Sequence, residues 1–143
     1  FSWSIPMVYS AGGFSFDKGF ICLWLGAVLW IIVYDTFYAL VDKADDLKIG
    51  VRSTAILFGN NVGLITGFLQ VLVLVLWAMV GVNVGLGQFY FYSLLFVFIL
   101  FVRQQLLIRS SNSEQIFKAF TENHYVGLCL FVGIFTDLLF GPH

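Results

Sequence analysis

From Ser53 to Val102 the chain carries no Asp, Glu, Lys or Arg, a run of fifty residues without a formal charge. An apolar helix crosses the ~30 Å hydrocarbon core of a bilayer in ~20 residues, because each residue rises only ~1.5 Å. Fifty residues are too many for one crossing and about right for two. The break falls at Gly81-Val82-Asn83-Val84-Gly85-Leu86-Gly87, where three glycines and an asparagine mark a turn. The run therefore predicts spans over 55–80 and 88–106.

Two further stretches read the same way. Residues 19–41 hold one charge, Asp35, and residues 124–141 hold one, Asp137. Residues 1–14 are apolar but too short to span, and they read as the back part of a helix whose front lies upstream. Gly141-Pro142-His143 reads as a helix stop, and Pro6 is expected to kink the first helix. The expected fold is an all-α integral membrane bundle with four full spans plus a partial one. It forms a single transmembrane domain over 1–143, truncated at its N-terminus. Composition agrees: 60% apolar and 10% charged residues, against about 45–50% and about 25% in soluble domains. A soluble enzyme and a disordered chain are excluded. A net charge of −1 leaves no basic field for nucleic acid. Cys22 and Cys129 are isolated inside apolar runs and read as small buried thiols, with no disulfide framework or zinc spacing.

The loops set orientation. Lys43, Lys48 and Arg52 follow the first full span, and Arg103, Arg109 and Lys118 follow the third. The opposite side carries only Lys18, six cations against one, so the basic loops are expected to face the cytoplasm. Ser110-Ser111-Asn112-Ser113 reads as a helix-breaking loop, and Ser113 to Lys118 as the start of an amphipathic helix on the inner surface.

Charge is scarce, so its placement is informative. Four acids, Asp35, Asp42, Asp45 and Asp46, fall within residues 34–46. On a helix, Asp35, Tyr38, Asp42, Asp45 and Asp46 project from one face. Like charges at that spacing repel, and a cation removes the repulsion. Paired hard oxygen ligands suit Mg²⁺, which takes one or two carboxylates plus substrate phosphates. Lys48, Arg52, Ser53 and Thr54 follow at once, and acids followed by bases suit a diphosphate. A solvated loop whose charges neutralise each other is the plainer reading, and a cation path is another. Asp35 weakens the first, because a charge inside a span costs ~2.5–3.5 kcal/mol at the bilayer centre and therefore tends to face a cavity. The packed basic segment weakens the second. Asp137 reads as an interfacial or a satisfied polar position, and His124 as an interfacial one.

The stretch Tyr34-Asp35-Thr36-x-Tyr38-Ala39-x-x-Asp42-x-x-Asp45-Asp46-x-Lys48-Ile49-Gly50-x-Arg52-Ser53-Thr54-Ala55-Ile56-Leu57-Phe58-Gly59 resembles the second aspartate-rich motif of the UbiA prenyltransferase superfamily. Within it, the stretch is most similar to the 4-hydroxybenzoate polyprenyltransferases of ubiquinone synthesis. Ser2-Trp3-Ser4-Ile5-Pro6-Met7, Lys118-Ala119-Phe120 and Asn123-His124-Tyr125-Val126-Gly127 resemble the same subgroup.

The resemblance implies nine transmembrane helices around a cavity open to the cytoplasm and to lipid, with this chain as the back half. The first motif of the family, N-D-x-x-D-x-x-x-D, does not occur here. The missing N-terminal half of the same chain is therefore an expected partner, and the 143 residues alone are expected to be inactive. The implied enzyme sits in a bacterial inner membrane with its active-site loops cytoplasmic. It transfers a polyprenyl group from polyprenyl diphosphate to the ring carbon ortho to the hydroxyl of 4-hydroxybenzoate. Asp42 and Asp46, with Asp45 beside them, match the Mg²⁺ ligands. Arg52, Lys48 and Lys43 match diphosphate contacts, and Asp35 and Tyr38 match a deeper part of the motif that orients the acceptor or takes its proton. Aromatic side chains can shield the allyl cation, but no particular ring is singled out. Superfamily members that make menaquinone, haem O or chlorophyll-type lipids, and a cation-transporter fragment, remain as alternatives.

Overall fold

The computed structural model describes residues 1–110 and 112–141. Ser111 of the expected 110–113 loop, and Pro142 and His143 of the expected stop, lie outside the described residues. All regular structure among the described residues is helical: α1 Ser4–Ala11, α2 Lys18–Ile49, α3 Thr54–Phe58, α4 Val62–Val84, α5 Gln88–Ile108, α6 Ser113–Thr121 and α7 Asn123–Phe140. Four stretches are long and apolar enough to cross a membrane: Lys18–Ile49, Thr54–Val84, Gln88–Ile108 and Ser113–Phe140.

Local chemistry explains the boundaries. Asp17 begins α2 by accepting the Phe20 N–H at 2.8 Å. Gly50 ends it in the left-handed region at φ 76°, where a side chain would be strained. Gly85 ends α4 the same way at φ 75°, inside the expected glycine-rich turn. Asn112 begins α6, its side-chain oxygen accepting from the Glu114 N–H.

Two boundaries differ from expectation. The segment from Asp42 onward is not a loop, because α2 continues as helix to Ile49. No Gly or Pro interrupts it before Gly50, and charged residues are tolerated once the helix has left the apolar layer. The expected 55–80 span is broken near its start, because Gly59 adopts φ 53° and separates α3 from α4 through a short 3-10 turn. Pro6 sits in the first turn of α1, where its missing N–H removes no hydrogen bond of that helix.

The faces of α4 show how the bundle packs. Thr66, Gln70, Val73, Trp77 and Val80 point inward, while Leu64, Phe68, Val71, Val75 and Met79 are exposed. Large apolar residues such as Phe68 and Met79 can face outward, because lipid solvates them as well as protein does, whereas the polar groups need partners inside. α4 lies between α2 and α5, α5 packs on α7, and α6 bridges α2 and α5. Val73, Trp77, Tyr90, Leu94, Val97, Phe101 and Val126 form the main core, and Val33, Phe37 and Ala119 a second one at the α2–α6 contact. Gly26 opposes Trp77, and Gly133 opposes Ser93, so small residues permit the close approaches. Cys22 is buried and Cys129 partly buried, both free, as read.

Candidate functional site

α2 has 32 residues, about 48 Å of helix against a hydrocarbon core of ~30 Å. Its last turns therefore extend beyond the apolar layer, and they carry Asp42, Lys43, Asp45, Asp46 and Lys48. Because α2 is helical throughout, Asp42 and Asp46 stand one turn apart on one face. Both are partly buried, and among the described residues neither carboxylate has a hydrogen-bond or ion-pair partner. Asp45 is different: it pairs with Lys48 at 2.8 Å, with both side chains exposed. Lys43 is partly buried, and Arg52 is exposed on the short connection after Gly50. Among the described residues no three His, Cys, Asp or Glu side chains gather into a metal-sized cluster, so Asp42, Asp45 and Asp46 do not form a three-carboxylate cage. The donor set is two unpaired carboxylates, which fits a hard cation that completes its shell with phosphate oxygens and water.

The connection after α2 is held in place. Thr54 Oγ1 lies 3.0 Å from Thr36 Oγ1, joining α3 to α2, and Thr36 donates to the Ile32 carbonyl at 2.6 Å. Ser53 precedes α3 with its hydroxyl buried and without a partner.

Above the acids along α2 opens a cavity of about 400 Å³, mainly apolar. Ala27, Trp30, Ile31 and Tyr34 line it from α2, Phe120 and Asn123 from the α6–α7 corner, and Phe1, Ser2, Ser4 and Ile5 from the N-terminal segment. Phe120 stacks on Tyr34 with ring centroids 4.6 Å apart and lies 5.1 Å from Tyr38. Tyr38 thus stands between the cavity wall and Asp42. Asp35 is exposed and does not line this cavity, whereas its neighbour Tyr34 does.

Three wall residues carry no assigned role in the sequence: Trp30, and Phe120 and Asn123, which stand there only within stretches that resemble the subgroup. The spacing of Ala27, Ile31, Tyr34 and Tyr38 marks one helical face, and that signal was available. What opposes it comes from about ninety residues away and leaves no local trace: Trp30 Nε1 donates to Asn123 Oδ1 at 3.1 Å. His124 also borders the cavity, its Nδ1 in a short contact with the Thr121 carbonyl. Asp137 lies at the opposite end of the bundle, where it accepts the Gly87 N–H at 2.6 Å. That bond uses Oδ2, and Oδ1 is buried without a partner, so the carboxylate is only half satisfied.

The model of the UbiA prenyltransferase family matches residues 1–134. The chain is 50% identical over 134 residues to a 4-hydroxybenzoate octaprenyltransferase of Citrobacter koseri, covering 94% of this chain and 46% of that protein. It is 46% identical over 142 residues to the enzyme of that name from Hahella chejuensis, covering 99% of this chain and 47% of the relative. The Escherichia coli K12 relative of the same name is 49% identical over 134 residues, covering 94% of this chain and 46% of its own. The chain therefore spans about half the length of the curated relatives it matches. No solved structure gives a significant match.

Proposed function

The chain belongs to the UbiA prenyltransferase family, and on that premise we propose that the protein containing it transfers a polyprenyl group from polyprenyl diphosphate to 4-hydroxybenzoate in ubiquinone synthesis. The new bond forms at the ring carbon ortho to the hydroxyl. The observation that carries this reading is the pair Asp42 and Asp46, unpartnered and one turn apart on the end of α2 that projects from the apolar layer. The relatives named above supply the substrate class.

In this proposal Asp42 and Asp46 hold Mg²⁺, with Asp45 beside them. When bound, the ion neutralises charge developing on the departing diphosphate. Arg52 is exposed and unpartnered among the described residues, so its guanidinium is free to contact diphosphate oxygens. Lys43 and Lys48 stand on the same segment, Lys48 exchanging Asp45 for the diphosphate when it takes part. Tyr38, one turn from Asp42, orients the aromatic acceptor, and Asp35 holds or takes a proton near it. The site lies on the cytoplasmic side of the membrane, as the six-to-one cation bias favours.

The test uses the full-length protein in membranes, with radiolabelled polyprenyl diphosphate and 4-hydroxybenzoate. Labelled 3-polyprenyl-4-hydroxybenzoate is expected from the wild type, and at least a hundredfold less from Asp42→Asn and from Asp46→Asn. Wild-type rates in both variants, or product only with a naphthoate or haem acceptor, would overturn the proposal.

A further inference from the structure

We propose that Asn123 is a positioning residue that holds the aromatic wall of the cavity against the isoprenoid tail of the donor. The inference rests on the diphosphate site proposed above.

Asn123 is 1% exposed, and its amide reaches three places at once. Oδ1 accepts from Trp30 Nε1 on α2 at 3.1 Å. Nδ2 donates to the Ala119 and Phe120 carbonyls at the end of α6, at 3.3 and 3.4 Å. One side chain therefore links α2 to the α6–α7 corner, beside the Tyr34–Phe120 stack and the Val33, Phe37 and Ala119 core. Phe120, whose carbonyl it holds, is the ring stacked on Tyr34. Trp30, whose indole it orients, packs edge-on against Trp77 in the core, with centroids 5.7 Å apart. Loss of the amide frees both sides of the wall together, and it leaves the indole N–H facing an apolar cavity.

Distance identifies the ligand. The cavity begins at Tyr34, eight residues before Asp42, which is about 12 Å along the helix axis. The acceptor carbon must come within ~3.5 Å of the donor carbon bonded to the diphosphate. The acceptor therefore belongs near Tyr38, about 6 Å from Asp42 along the axis. The space beyond Tyr34 suits the following isoprene units, whose apolar and π-rich chain matches Trp30, Ile31, Tyr34 and Phe120.

The experiment measures equilibrium binding of geranyl and geranylgeranyl diphosphates to the purified full-length protein, for wild type, Asn123→Ala, Trp30→Phe and the double variant. Trp30→Phe keeps a ring in the wall and removes the N–H, so it reports on the bond even where Asn123→Ala does not fold. In the wild type the longer donor is expected to bind more tightly. Each single variant is expected to shrink that preference about fivefold, and the double variant little further, because the two residues act through one bond. A preference unchanged in Trp30→Phe, an equal loss on both donors, or additive effects in the double variant would overturn the proposal. Tail-dependent binding without transfer to 4-hydroxybenzoate would sustain this inference while refuting the proposed reaction.

Discussion

Arg103 grips Glu122 at two points, Nε to Oε2 at 2.9 Å and Nη2 to Oε1 at 2.8 Å, tying the last turns of α5 to the α6–α7 corner. The pair supports the corner that carries Phe120 and Asn123. Glu122 is 11% exposed at its side chain but Arg103 is 53% exposed, so water screens part of the attraction. Arg103→Ala is expected to lower stability by ~1–2 kcal/mol, because it leaves a nearly buried carboxylate unpaired. Arg103→Lys is expected to recover less than half of that, since an ammonium cannot reproduce the planar fork. Thermal unfolding of the detergent-solubilised full-length protein measures both, and an unchanged midpoint in Arg103→Ala contradicts the expectation.

The α2–α4 contact depends on Gly26. A Cβ there would lie 2.6 Å from Trp77 Nε1 and 2.7 Å from its Cδ1. Trp77 is buried and packed against Trp30, so it cannot swing aside freely. Gly26→Ala is expected to cost ~1–3 kcal/mol. Gly127→Ala is the control: its nearest neighbour, Trp30 Cη2, lies at 3.8 Å, ordinary contact, and stability should hold.

Asp137 separates an acid with a structural task from those proposed for chemistry. It is 1% exposed and accepts the Gly87 N–H at the start of α5. Asp137→Ala is expected to reduce stability by ~1–2 kcal/mol while prenyl transfer per folded molecule stays at the wild-type rate. A specific loss of activity would place Asp137 in the reaction.

Inside the α4–α5 contact, Gln70 Nε2 donates to Gln104 Oε1 at 2.9 Å, and both side chains are buried. Replacing either by Leu should cost ~0.6–1.7 kcal/mol, between the mean and the largest value found for hydrogen bonds between membrane helices. Replacing both should cost less than the sum of the two, because the bond between them is then lost once rather than counted twice, while the Gln105 amide, 2.8 Å from Gln70 Oε1, loses that contact equally in the Gln70 single and the double variant. Additive losses would show that the two amides do not act as a pair.

Chelation tests the cation. With EDTA, polyprenyl transfer by the full-length protein is expected to stop, and added Mg²⁺ to restore it. Undiminished turnover after chelation would remove Mg²⁺ from the proposal.

Much was legible from residue order alone. The charge-free run from Ser53 to Val102 and the glycines at its middle placed two crossings, because membrane helices are selected by length and polarity, which are local properties. The positions of Asp42 and Asp46 on one face followed from helical repeat once the segment was taken as helix. The sequence reading ended the first full span too early, because a charged stretch after an apolar one looks like a loop. The distinction lay in the absence of a breaker before Gly50.

What residue order determined was which side chains share a helix face and which segments lie in lipid. Tertiary structure decided what those faces meet. Trp30 and Asn123, Tyr34 and Phe120, and Arg103 and Glu122 are brought together by the packing of α6 across α2 and α5. Helical periodicity is set within a few residues of chain, but the neighbour across a helix–helix contact is set by close packing and polar pairing between segments remote in sequence. For that reason the acids were visible from the start, and the aromatic wall beside them appeared only in the fold.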